Sequence, residues 1–369
     1  MKPEYERSIK VLYVTGMYST KYGGLEHFII ELLKRGVRLI VIYNNTPQPD
    51  TYYRDLLNLG ASVYVVRGSI LRRSWQTFRI VQQEKPNIIH YHFGFVVYFL
   101  FFFVKLLFPR IKQVLTQHCE YRYTSPIMML ATRICYKSLD LVISVSKGVK
   151  RGLVSKIGDS PRFIVSYLGV ARTLVENQTL KQDLHISDDC LILTSIGFDI
   201  DVKGFDILAR AVSLLKSETS LPPFRVIVIG LNETEDKRFS CITKKLDVED
   251  LFISVGIRND VDDFLSITDV YLQPSRTEAI SLSIMEALQY GIPIIGSNVG
   301  GIPEVCISDH NGLLVQKENV RELAGAIARL LTDNKIRTRF GKNALMLSEN
   351  FRLDRSMSRL IRLYQDLLR

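Results

Sequence analysis

Asp269-Val270-Tyr271-Leu272-Gln273-Pro274-Ser275-Arg276-Thr277-Glu278-Ala279-Ile280-Ser281-Leu282-Ser283-Ile284-Met285-Glu286-Ala287-Leu288 carries the pattern from which the rest of the chain is read. Its first five residues read as a buried strand. Leu282, Met285 and Leu288 then recur at helical spacing. Glu278 therefore falls in the loop after the strand, and Glu286 falls one to two turns into the next helix. A loop carboxylate followed by one on the next helix can hold two separate hydroxylated parts of one ligand. The plain alternative is a solvated loop Glu and a helix-surface Glu.

Working outward, the same strand-loop-helix unit repeats. Strands are expected at 10–15, 39–43, 62–66, 88–91, 114–118 and 141–146, then at 191–196, 225–230 and 251–255, with helical or mixed segments between them. Alternation of this kind implies α/β architecture with a doubly wound parallel sheet, whose ligands lie outside the carboxyl ends of the strands. Several candidate residues fall at such ends. Gly23-Gly24, before the helical pattern from Leu25 to Lys34, reads as a plain turn or as a loop whose N–H groups approach a phosphate. His90 and His92 close one strand, and His118 closes another. The last helix is expected over 353–368 and is amphipathic.

At 369 residues there is room for two domains. A hydrophobic fraction of 47% with 23% charged residues is that of a soluble globular protein. Five scattered cysteines without a C-x-x-C pair argue for reduced thiols in the cytosol, against a disulfide framework or a zinc site. The polar stretch from Met1 to Lys10 reads as having no secretory signal. Charge is unevenly shared. Up to Glu176 there are 25 Lys/Arg against 11 Asp/Glu, and beyond it 23 against 27. The basic half suggests a polyanionic partner. No helix-turn-helix, zinc-finger or RNP-like pattern supports nucleic acid, so an anionic membrane surface fits better. The run from Phe93 to Phe108, with Lys105 its only charge, is too short to span a bilayer. It reads either as a helix buried against the sheet or as a monotopic contact. Arg72, Arg73, Trp75 and Arg79 form a second candidate contact, which Arg122, Arg133 and Lys137 could extend.

Pro274-Ser275, the Glu278 to Glu286 pair, Gly291-Ile292-Pro293, Gly300-Gly301-Ile302-Pro303-Glu304 and Asn311-Gly312-Leu313-Leu314-Val315 occur in that order. This series closely resembles the C-terminal half of the retaining GT-B glycosyltransferases of family 4, which carry a Glu-x7-Glu motif. The resemblance extends more loosely over most of the chain. It implies two Rossmann-like domains facing across a cleft: an acceptor domain at 1–178, a donor domain at 179–350, and a final helix, 351–369, crossing back to the first. The polar segment before Asp189 is the expected linker.

The resemblance also implies roles. Glu278 would bind sugar hydroxyls and Glu286 the ribose. Lys203, with the Gly23-Gly24 loop, would hold the donor diphosphate, His118 would lie near the reacting sugar carbon, and the backbone about Arg258 would hold the base. Two departures stand out. Tyr167-Leu168-Gly169-Val170-Ala171 keeps only the Gly-Val pair of the usual Pro-Asn-Gly-Val-Asp-like sequence. Phe198 stands where an Arg is expected to bind phosphate, a loss of about 1.5–3 kcal/mol if nothing replaces it; Arg276 is the candidate substitute. No metal is needed on this reading, although Asp199-Ile200-Asp201 has the spelling of a metal pair.

The expected function is transfer of a sugar, with retention, from a UDP- or GDP-sugar donor to a saccharide or lipid-linked acceptor. The setting would be bacterial surface polysaccharide assembly, by a cytoplasmic protein peripheral to the membrane and needing no cofactor. The other readings are a nucleotide-sugar epimerase of similar fold and a non-catalytic nucleotide-sugar-binding scaffold.

Overall fold

The computed structural model describes residues 9–15, 24–47, 50–92, 98–119, 126–171, 175, 177 and 179–369. The chain divides into two compact units, Met1–Gly169 with Leu353–Arg369, and Val170–Arg352. The division falls before the polar segment read as the linker. Val170 donates its N–H to the Phe351 carbonyl at 2.9 Å and forms a parallel bridge with Arg352, which ties it to the second unit. The segment read as linker itself carries a short helix, Leu180–Asp183.

In the first unit, β1 (Lys10–Val14), β2 (Arg38–Tyr43), β3 (Ser62–Val65), β4 (Ile88–His92), β5 (Lys112–Gln117), β6 (Leu141–Ser144) and β7 (Phe163–Val165) form a parallel sheet. Its order is β3-β2-β1-β4-β5-β6-β7. Side chains alternate between the faces of a strand, so each run of Val, Ile and Leu feeds two cores. Val11, Tyr13, Leu39 and Val41 pack with Phe28 and Leu32 of the helix Gly24–Lys34. Leu12, Val14, Ile40 and Leu115 pack on the opposite face with Ile80, Val104 and Tyr136. Those three come from the helices Ile70–Glu84, Tyr98–Leu107 and Pro126–Ser138.

The last helix, Leu353–Leu368, returns to the first of these cores through Met357, Leu360 and Tyr364. Their spacing of three and four puts them on one face. The Tyr364 hydroxyl lies 2.9 Å from that of Tyr13 and 2.5 Å from His90 Nδ1, all three residues being buried.

The second unit repeats the plan with β8 (Leu191–Ile196), β9 (Phe224–Ile229), β10 (Phe252–Ser254), β11 (Val270–Gln273), β12 (Ile294–Ser297) and β13 (Gly312–Val315). Here the order is β10-β9-β8-β11-β12-β13. Both sheets are wound outward from an interior strand, and the order reverses between β1 and β4 in one and between β8 and β11 in the other. At such a reversal the loops after the two neighbouring strands diverge to opposite faces and leave a crevice at their carboxyl ends. The class is α/β, doubly wound twice over.

Removing the Tyr364 hydroxyl leaves buried groups of Tyr13 and His90 without their partner. Tyr364→Phe is expected to lower the unfolding free energy by about 1–3 kcal/mol. Urea denaturation checks this, and an unchanged midpoint overturns it.

Candidate functional site

In the second unit, three loops converge at the reversal. The loop after β8 runs through Gly197 into a helical turn, Ile200–Lys203, started by Asp199, whose carboxylate accepts from the Val202 N–H at 2.8 Å. This turn carries Lys203 back over Gly197, where a Cβ would fall 2.4 Å from Lys203 Cγ. Only a glycine leaves room for the lysine stem. The loop after β11 supplies Glu278, and the two side chains meet: Lys203 Nζ lies 2.7 Å from Glu278 Oε2, with both side chains largely withdrawn from solvent.

The third loop fixes the carboxylate's backbone. Gly300 has φ +53°, and a Cβ there would fall 1.6 Å from the Glu278 carbonyl oxygen. Glycine is required on both counts. Gly301 donates its N–H to that same carbonyl at 3.2 Å. Below, a buried polar cluster secures the loop. Gln273 accepts from Tyr271 at 2.9 Å and from Ser281 at 3.2 Å, and donates to Ser275 at 2.7 Å. Ser281 also accepts from the Ile284 N–H and so caps the helix Leu282–Gln289, which carries Glu286. Burial pushes the Tyr271 phenol well above its ordinary range, and the charges of Glu286 and Glu278 add to the shift. Sequence reasoning missed Gln273, Ser275 and Ser281; a polar run at the end of an apolar strand was the available signal.

Arg276, the candidate substitute cation, is engaged within its own unit. Its guanidinium forms a two-pronged pair with Asp206, both contacts at 2.8 Å. It also donates to Glu318 at 2.8 Å and to the Asp201 carbonyl at 2.7 Å. Four of its five N–H groups are engaged within the unit, so it acts as a clamp between loops. The Arg276 N–H bonds the Val202 carbonyl at 2.9 Å, which joins the Lys203 turn to the Glu278 loop. Arg258, beyond β10, pairs with Asp260 and lies 5.4 Å over the Phe264 ring. Asp201 pairs with Arg238, and Asp199 is the cap just described. No group of His, Cys, Asp and Glu among the described residues is arranged to hold a metal ion. Phe198 is 63% exposed.

In the first unit the histidines form one stack. Tyr13 pairs in register with His90, and His92 with Thr116. Residues two apart share a face, so Tyr13, His90, His92, Thr116 and His118 all project to the same side of the sheet. Ring centroids lie 4.4 Å apart for His90 and His92, and 5.1 Å for His92 and His118. His92 Nδ1 lies 2.8 Å from His118 Nε2, and His90 Nε2 lies 2.7 Å from Thr116 Oγ1. His90 is therefore a packing residue. His92 is the one that orients His118, a role the sequence did not suggest. Its own Nε2, fully buried, has no hydrogen-bond partner among the described residues. Burial pushes His90 down to about 3 and His118 to about 4, and His92 well below its ordinary value, so all three are neutral at neutral pH. Gly24 begins the helix Gly24–Lys34; Gly23 and Arg122 lie outside the described residues.

The two doubly wound sheets, with a lysine and a glutamate paired at the carboxyl end of the second, define a class of two-domain α/β proteins with a charged site at the sheet reversal. Family models agree. The model for Glycosyltransferase Family 4 matches residues 22–173, and that for Glycosyl transferases group 1 matches residues 176–346. The chain belongs to glycosyltransferase family 4, with the GT-B fold. It is 25% identical over 356 residues to N-acetyl-alpha-D-glucosaminyl L-malate synthase of Bacillus anthracis, with 92% of each chain covered. Among solved structures it resembles Alr3699/HepE of Anabaena in complex with UDP, at TM-score 0.80 and 18% identity, over 97% of this chain and 100% of that one. It also resembles a glycosyltransferase of Rickettsia africae, at TM-score 0.83 and 19% identity, over 98% and 99%.

The buried imidazoles make stability depend on acidity. In the unfolded chain they bind protons near pH 6.5; in the folded unit His118 does so only near 4 and His90 near 3. Their contribution is fully present above pH 6.5 and is lost as pH falls towards 4 and below. The melting temperature should drop across that window, and His90→Gln should shallow the slope by up to one proton. An identical slope in the variant contradicts the assignment.

Proposed function

We propose that this glycosyltransferase moves a sugar, with retention at the anomeric carbon, from a UDP- or GDP-sugar to a saccharide or lipid-linked acceptor. The setting is surface polysaccharide assembly at the cytoplasmic side of an anionic membrane. The observation that carries the donor reading is the Lys203–Glu278 pair at 2.7 Å, on the two loops that flank the sheet reversal. An ammonium has three N–H donors. With one on Glu278, two are available to diphosphate oxygens as the bond from the anomeric carbon to the leaving oxygen breaks and negative charge develops there. Glu278 accepts from sugar hydroxyls and Glu286 from the ribose. The glycine loop at Gly23 and Gly24 adds N–H groups on the phosphates, and backbone about Arg258 meets the base. His118, neutral and oriented by His92, lines the reacting face. The Anabaena structure with UDP supports the nucleotide class. Arg276 is left out of phosphate binding because Asp206 and Glu318 already engage its guanidinium.

Phe198 favours a second reading, a donor-binding subunit with little turnover, since an exposed ring stands where the resemblance calls for a cation. The name of the Bacillus relative adds a small soluble acceptor, malate, to the panel worth testing.

Thermal stabilisation by a set of nucleotide sugars identifies the donor, because a ligand bound only by the folded state raises the melting point. Turnover is then measured with and without acceptors. Glu278→Ala and Lys203→Met should each lower kcat by about 10²–10³-fold with the fold retained; activity within twofold of the parent removes either residue from the site. Phe198→Arg should tighten donor binding by about tenfold or more, the worth of one charge-assisted bond. Unchanged affinity would mean that the phosphates lie elsewhere.

A further inference from the structure

We infer that the outward faces of the helices Ile70–Glu84, Tyr98–Leu107 and Pro126–Ser138 form one docking surface for an anionic phospholipid bilayer. This deepens the membrane part of the proposed function, rests on it only for the kind of partner, and is independent of the donor chemistry.

The three helices cover one face of the first sheet, the face opposite the histidine stack, and Tyr98–Leu107 packs against both of the others. Phe78 and Phe108 meet at their edge, with ring centroids 5.3 Å apart. Each helix turns large apolar side chains outward at helical spacing. On Tyr98–Leu107, Phe103, Leu106 and Leu107 are 49, 64 and 54% exposed, while Val104 between them is fully buried. On Ile70–Glu84, Leu71 and Trp75 lie one turn apart at 76 and 59%. On Pro126–Ser138, Leu130 and Ile134 repeat that spacing at 60 and 54%. Isolated apolar residues are found on any surface, but seven large ones exposed on three adjoining helices point to an interaction face.

The charges select the occupant. Neither Tyr98–Leu107 nor Pro126–Ser138 contains an Asp or Glu. The only acid of Ile70–Glu84 is Glu84, which is engaged by Lys10 and Tyr64. Lys105 is neutralised by Asp140. Arg72, Arg79, Arg133 and Lys137 stand among the exposed leucines, exposed themselves and without an ion pair among the described residues. Arg79 lies 5.0 Å over the Trp75 ring, which gives the interface both a cation and an amphipathic ring. Two copies of this face laid together would oppose cation to cation, which disfavours a homodimer. Lipid phosphates complement the cations and acyl chains the leucines. The contact lies on the bilayer rather than through it. Tyr98–Leu107, at ten residues, is about 15 Å long against a hydrocarbon core of about 30 Å. No helix among the described residues is long and apolar enough to cross a membrane.

Trp75 is the only tryptophan in the chain, so its fluorescence reports on the surface directly. The full-length protein is mixed with vesicles of phosphatidylcholine alone or of equal parts phosphatidylcholine and phosphatidylglycerol. Sedimentation with the anionic vesicles, a blue shift of the emission and quenching by brominated lipid are expected, with at least tenfold weaker binding to phosphatidylcholine. Combining Leu106→Ser, Leu107→Ser and Leu130→Ser should weaken binding at least tenfold while the melting temperature holds, because each of these side chains is more than half exposed and none belongs to the buried core. Replacing Arg72, Arg133 and Lys137 with Gln should abolish the preference for anionic vesicles. Absence of sedimentation, or emission unchanged on sedimentation, overturns the inference. So does concentration-dependent dimerisation that the serine variant abolishes, since a second copy would then cover the face. Turnover of a soluble donor, measured without vesicles, tests the transferase reading separately.

Discussion

The second unit is organised around a lysine and a glutamate from different loops held in contact with little access to water. Withdrawing either charge from water is costly, and their attraction offsets that cost only while the geometry holds. The geometry is set by backbone. Gly197 admits the lysine stem, and residue 300 crosses the Glu278 carbonyl at a distance that excludes any side chain. The Arg276 clamp and the N–H bond from Arg276 to Val202 close the remaining freedom between the two loops. On the function proposed above, a pair built this way exchanges part of its mutual attraction for a ligand that brings a diphosphate to the lysine and hydroxyls to the carboxylate.

The first unit solves a different problem with similar economy of parts. Its histidines are held neutral and fixed in place. His90 and His92 are buried in a stack of rings that His118 joins at its partly exposed end, and the contact between His92 Nδ1 and His118 Nε2 restrains the His118 ring. The stack is closed from the side by Tyr364 on the last helix, so the end of the chain stabilises residues near its beginning. The opposite face of the same sheet carries the basic, apolar helices. One sheet thereby separates a polar, largely buried column from a surface of exposed apolar and basic side chains.

Much of this was legible in the sequence. The alternation of apolar runs with amphipathic helices follows from local periodicity, and every labelled strand from β1 to β6 lies within a residue or two of its expected place. The glycine-containing turns and the spacing of Glu278 and Glu286 also pointed to the second-unit site. The sequence did not show the pairing of Arg276, because a cation near two carboxylates in the chain looks the same whether it faces a ligand or is tied to Asp206, seventy positions away. It also treated His90 and His92 alike.

The sequence by itself determined the fold class and the strand ends at which chemistry can occur, because hydrophobic periodicity and glycine placement are local and survive without knowledge of neighbours. The tertiary structure alone decided which charges are engaged with one another, which histidine orients which, and that the helices Ile70–Glu84, Tyr98–Leu107 and Pro126–Ser138 lie side by side on one face of their sheet. Those depend on strand order and on contacts between residues far apart in the chain, which no local pattern encodes.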